Sequence, residues 1–60
     1  VKDINGKTYE SAEIDSMFED LESNDSMNDF LWSLHETWED KRFLSMRQLQ
    51  CLIDAWEEIG

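Results

Sequence analysis

The stretch Leu44-Ser45-Met46-Arg47-Gln48-Leu49-Gln50-Cys51-Leu52-Ile53-Asp54-Ala55-Trp56 decides the fold class. Ser45 followed three positions later by Gln48 is a capping box. The hydroxyl accepts the N–H of the third helical residue, and that residue's side chain turns back to the N–H of the cap. Leu44 before the cap and Leu49 after it supply a hydrophobic staple. Leu49, Leu52, Ile53 and Trp56 recur at helical spacing, with Met46 and Ile59 at the margins. A helix over 45–59 follows.

Working back from it, Met27, Phe30, Leu31, Leu34 and Trp38 form a second apolar stripe. They predict a helix over 26–42 with Ser26 or Asp25 as its N-cap. Ser26 with Asp29 resembles a capping box, although Glu or Gln is usual at the far position. Lys41 and Arg42 suit the negative end of that helix dipole, and the short Phe43-Leu44 link predicts a helical hairpin. Ile14, Met17, Phe18 and Leu21 define a third helix over 11–23, with Asp15, Glu19 and Asp20 on its opposite face. Ser23-Asn24-Asp25 is a polar break of turn-favouring residues. Residues 1–10 contain Asn5-Gly6, a type I′ turn signal, so they form either a tiny hairpin or a plain turn. Strands this short are not stable alone, so a hairpin requires Ile4 and Tyr9 to pack on the helices. The fold class expected is mainly α: one small three-helix domain over 1–60, with a short N-terminal β-hairpin or turn.

Sixty residues bury only about 60% of the unfolded surface, so such a chain needs unusually good packing or association. Cys51 is the only cysteine, which excludes a disulfide within the chain. One Cys and one His are too few for a zinc site. Three Trp, three Phe, one Tyr and three Met are a heavy load for this length and imply a compact core, completed by itself, a second copy or a partner. No apolar run has the length of a signal peptide core or a membrane span, and a lone thiol suits a reducing compartment. A cytoplasmic location, away from membranes, is expected.

Charge carries the functional signal. Fifteen acids face five bases, a net charge of −10, and from Thr8 to Asp40 there are eleven acids and no Lys or Arg. Such a field opposes direct binding to nucleic acid phosphates or anionic lipid and attracts basic partners. Solubility alone is the plainer reading of the acidity.

Carboxylate pairs abound, but catalytic carboxylates need burial or a like-charged neighbour to shift their pKa, and these lie on solvated helix faces. No phosphate loop, nucleophile triad or metal set accompanies them, so no enzyme, catalytic residue, metal or cofactor is expected. The loop starting at Asp20 fails as a calcium loop: Asp25 stands where glycine is needed and Leu31 where a bidentate Glu is needed. His35 is either a boundary histidine or a pH-sensitive contact. Cys51 is either buried under a neighbouring element or dimer interface, or an exposed thiol near Arg47. Lys41, Arg42 and Arg47 are too few for a nucleic acid site and read as helix-capping charges. Trp32 lies off the second stripe among Asn28, Glu36 and Glu39. It is either an exposed anchor for a basic partner or a cover for Ile4 and Tyr9.

Phe30-Leu31-Trp32-Ser33-Leu34, followed by Arg42-Phe43-Leu44-Ser45-Met46-Arg47-Gln48-Leu49, resembles a helical hairpin of small bacterial and phage proteins. There an apolar helix precedes an LSxxQ helix start. In size and charge the chain resembles small acidic phage proteins that inhibit host machinery, including anti-restriction and anti-CRISPR proteins. That resemblance implies carboxylates displayed where nucleic acid phosphates would sit. The function expected is an acidic inhibitor or modulator on the basic surface of a nucleic-acid-binding host protein. Asp15, Glu19, Asp20, Glu22, Trp32, Glu36 and Glu39 would be its contact residues. The alternative is an assembly module that pairs with itself, as a homodimer, or with a partner through its amphipathic helices.

Overall fold

The computed structural model describes all 60 residues. Its three helices are α1 (Ser11–Ser23), α2 (Asp29–Lys41) and α3 (Met46–Ile59). Strand is confined to one isolated antiparallel bridge, Lys2 with Thr8.

The N-terminal loop differs from the expected type I′ turn, which needs positive φ at both central residues. Only Gly6 has it, at +83°. The Asp3 carboxylate is the physical reason. Its Oδ1 accepts the N–H groups of Asn5 and Lys7, each at 2.9 Å. Gly6 N–H donates to the Asp3 carbonyl at 3.1 Å, and Asp3 N–H donates to Lys7 O at 3.0 Å. The result is a three-residue loop, Ile4-Asn5-Gly6, with glycine at the left-handed position. Asp3 is consequently the one buried charged side chain. Tyr9 is buried as expected, whereas Ile4 is 57% exposed and does not pack on the helices.

Helix α1 buries Ile14, Met17, Phe18 and Leu21. At its end Asp25 takes φ +54°, Ser26 N–H reaches back to Leu21 O, and Asp25 N–H to Glu22 O. This is the Schellman arrangement, with aspartate in glycine's usual place. It corrects the expected start of α2. Asp25 and Ser26 close α1, so the next helix cannot begin on them. Asn28 caps α2 instead, its side-chain oxygen accepting Leu31 N–H at 2.8 Å.

Along α2, Leu31, Leu34 and Trp38 are buried, but Phe30 is 53% exposed. Phe30 lies in the first turn, roughly 70° around from the mean direction of the buried residues at 100° per residue. It was expected in the stripe and is not part of the core. Arg42 closes the helix at φ +53°, donating its N–H to Trp38 O.

Helix α3 begins as its sequence predicts. Ser45 Oγ accepts Gln48 N–H at 3.2 Å, and Gln48 Oε1 accepts Ser45 N–H at 2.9 Å. Leu44 and Leu49 are both fully covered, as a staple requires. Leu52 and Ile53 continue the buried line, while Trp56 stands at its edge. Although α2 and α3 are joined by a short turn, α3 packs more extensively on α1. Twelve apolar residues from all three helices, the α2–α3 turn and Tyr9 make one core around Trp38, Ile14 and Leu21.

Candidate protein-binding surface

Every Asp and Glu except Asp3 lies on the exposed surface. The chain has too little positive charge to neutralise them, and it spends one guanidinium at a single place. Arg42 pairs with Asp15 across the α1–α2 interface, N to O at 3.1 and 3.2 Å. The same Asp15 accepts the indole N–H of buried Trp38 at 2.7 Å, and the Arg42 guanidinium stacks 4.5 Å from that ring. The Arg42 and Trp38 hydrogen bonds hold the Asp15 carboxyl below its ordinary 3.8. Asp15, expected to meet a partner, is thus engaged in joining α1 to the end of α2. Arg42, expected only to cap its helix, is the second half of that junction. Its position one turn after Trp38 was the available signal.

Asp20 is also engaged within the chain. Its Oδ2 accepts the indole N–H of Trp56 at 2.9 Å and ties α1 to α3. The remaining expected residues form two exposed sets. Glu19 and Glu22 lie one turn apart on α1, and Trp32, Glu36 and Glu39 lie on successive turns of one side of α2.

Trp32 remains 47% exposed. Its ring meets His35 edge-on at a centroid distance of 5.7 Å, and His35 meets buried Phe18 edge-on at 5.0 Å. A chain of three rings therefore runs from the core to the surface, and it braces Trp32 from one side. His35 also lies 3.5 Å from Glu39, one turn on, so its boundary position joins the ring chain to the carboxylate set.

Beside this set, Ser33, Glu36, Thr37, Glu39, Asp40 and Lys41 line a shallow open depression without an apolar wall. Such a surface suits a hydrated cationic side chain better than an enclosed small molecule. A second, more apolar notch between α1 and α3 is lined by Ala12, Glu13, Ser16, Met17 and Trp56. Nowhere do three or more His, Cys, Asp or Glu side chains gather as a metal-binding group. Cys51 is exposed, contrary to the reading that a neighbouring element covers it. No helix is long and apolar enough to cross a membrane. Compared with known proteins, the chain matches no family model, no curated sequence and no solved structure.

Proposed function

We propose that this chain is an acidic binding protein that occupies the basic surface of a larger nucleic-acid-binding protein and so inhibits or modulates it. One observation carries the reading. Fourteen of its fifteen carboxylates are exposed, Asp3 being the exception, and only Asp15 is ion-paired to a Lys or Arg of its own chain. A field so little neutralised from within is available to cations from outside. Glu19, Glu22, Glu36 and Glu39 would pair with Arg and Lys that otherwise hold phosphates. Trp32, braced by His35, would stack on a partner guanidinium. Asp15 and Asp20 would act indirectly, by holding α1 against α2 and α3.

The amphipathic stripes offer less to a partner, because the three helices already bury them against one another. Pairing through helices would have to use apolar side chains left outside that core.

The test is capture of partners from a host lysate at low and high salt, followed by challenge with duplex DNA. A partner that binds at low salt and is released by DNA in proportion to its own DNA affinity supports the proposal. Capture that resists both salt and DNA would argue for assembly through apolar contacts instead.

A further inference from the structure

The chain builds the same pairing of indole and carboxylate twice along α1. Asp15 accepts the indole N–H of Trp38 at 2.7 Å, and Asp20 accepts that of Trp56 at 2.9 Å. The first pair is completed by Arg42, whose guanidinium stacks on the Trp38 ring and bonds the Asp15 carboxylate. The second pair has no such cover. No Lys or Arg of the chain stacks on Trp56 or pairs with Asp20. Arg42 lies one turn after Trp38, whereas the residue one turn after Trp56 is Gly60. Trp38 is fully buried, but Trp56 keeps 36% of its surface exposed, and Asp20 is exposed beside it.

Trp56 is also one wall of the notch between α1 and α3, whose other walls are Ala12, Glu13, Ser16 and Met17. Glu13, Ser16, Met17 and Asp20 share one face of α1, at helical spacing. Both helices carry a one-sided field here. Helix α1 has five acids and no base, and α3 beyond Arg47 has three acids and no base.

We propose that the Trp56–Asp20 pair and its notch receive an arginine side chain of the partner. The guanidinium stacks on Trp56 and pairs with Asp20, as Arg42 does on Trp38 and Asp15, and the methylene stem lies along Met17 and Ala12. An aliphatic side chain would leave the Glu13 and Asp20 carboxylates without a counter-charge. A lysine ammonium is compact and strongly hydrated, and it lacks the planar fork that lets one group stack on a ring and bond a carboxylate together. The inference rests on the reading that the chain engages a basic surface, and it gives Asp20 a direct contact besides its structural one.

The test needs no partner. Acetyl-Gly-Arg-Gly-amide is titrated into the purified, nitrogen-15-labelled chain, and the indole N–H resonances of Trp32, Trp38 and Trp56 are followed separately. A saturable shift at Trp56 is expected, weaker in high salt. The lysine peptide should bind less tightly, and the citrulline peptide, which keeps the shape without the charge, should not saturate. Asp20→Asn keeps an acceptor for the Trp56 N–H and should weaken arginine binding about two- to fivefold, as loss of an exposed ion pair does. Ala12→Leu fills the notch and should abolish saturation. Circular dichroism checks both variants. If Asp20→Asn loses helix, Glu13→Gln removes a charge from the notch while keeping a capping-box residue, and should weaken binding similarly.

No saturable shift at Trp56 overturns the proposal, as does an equal response to citrulline or lysine. Unchanged affinity in the folded variants overturns it too. A shift confined to Trp32 would place the cation on α2, against this site and in favour of the contact already proposed there. A Trp56 shift that follows chain concentration without peptide would give the notch to a second copy and overturn the assignment to a partner. Failure to capture any partner from lysate would instead sink the proposed function and leave the arginine titration standing.

Discussion

Asp15 on α1 and Trp38 on α2 meet across the helix interface, carboxylate oxygen to indole nitrogen at 2.7 Å. Trp38 is completely buried, and its N–H finds its acceptor in a surface carboxylate. Arg42 then closes over both groups. A charged surface residue thereby completes the hydrogen bonding of the largest side chain in the core.

Asp15→Ala leaves the Trp38 N–H without its acceptor. A loss of about 1–3 kcal/mol of stability is expected, the cost of an unsatisfied buried donor. Asp15→Asn keeps an acceptor oxygen and should recover part of it. Urea denaturation of the three chains gives the order, and equal midpoints for Ala and the unsubstituted chain would remove the junction from the fold's energetics.

The same carboxylate has a pH signature. Its folded pKa is depressed, first by the Arg42 hydrogen bond and then by that of Trp38. A depressed carboxyl contributes stability that is fully present above its unfolded value, near 3.8, and is lost as pH falls through the lower folded value. The stability difference between the unsubstituted chain and Asp15→Asn should therefore be constant from neutral pH down towards 4 and shrink below it. Taking the difference cancels the other carboxylates, whose mutual repulsion is relieved by acid in both chains. A pH-independent difference would mean that the ion pair adds nothing.

Ser45→Ala should destabilise the chain by roughly 1 kcal/mol, because the Gln48 N–H loses its cap. Gln48→Ala should cost less, since the Ser45 N–H is exposed and water can replace the amide oxygen. Thermal melts that place the two variants in the reverse order would show that the box is held mainly from the Gln48 side.

Trp32 and the free carboxylates should separate in binding kinetics once a partner is isolated. Glu36→Lys and Glu39→Lys should slow association and flatten its salt dependence, as charges that steer a partner do. Trp32→Ala should speed dissociation, at a cost of about 2 kcal/mol if the ring is a central anchor. Its melting curve should stay close to that of the unsubstituted chain, since the ring is half exposed. Unfolding of Trp32→Ala would assign the ring to the Phe18–His35 stack rather than to a partner, and unchanged association rates in the Lys variants would leave the acidity to solubility alone.

The three helices, the Ser45–Gln48 box, the Leu44–Leu49 staple and the acid-rich, base-free run are readable without coordinates. They rest on groups three to five positions apart, or on composition, and helical periodicity makes such neighbours meet whatever the rest of the chain does. The start of α2 was not readable, because Asp25 and Ser26 suit both the end of one helix and the start of the next. Only the backbone hydrogen bonds to Leu21 and Glu22 decide between them. The division of the acids into structural and free ones was beyond the sequence for a different reason. Asp15 lies 23 positions from Trp38 and 27 from Arg42, and Asp20 lies 36 from Trp56. Contacts at that separation depend on how the helices cross, which follows from side-chain packing and not from local pattern. The same packing leaves Phe30, Phe43 and Met46 outside the core, where a stripe read from spacing alone cannot distinguish an apolar residue that finds a neighbour from one that does not.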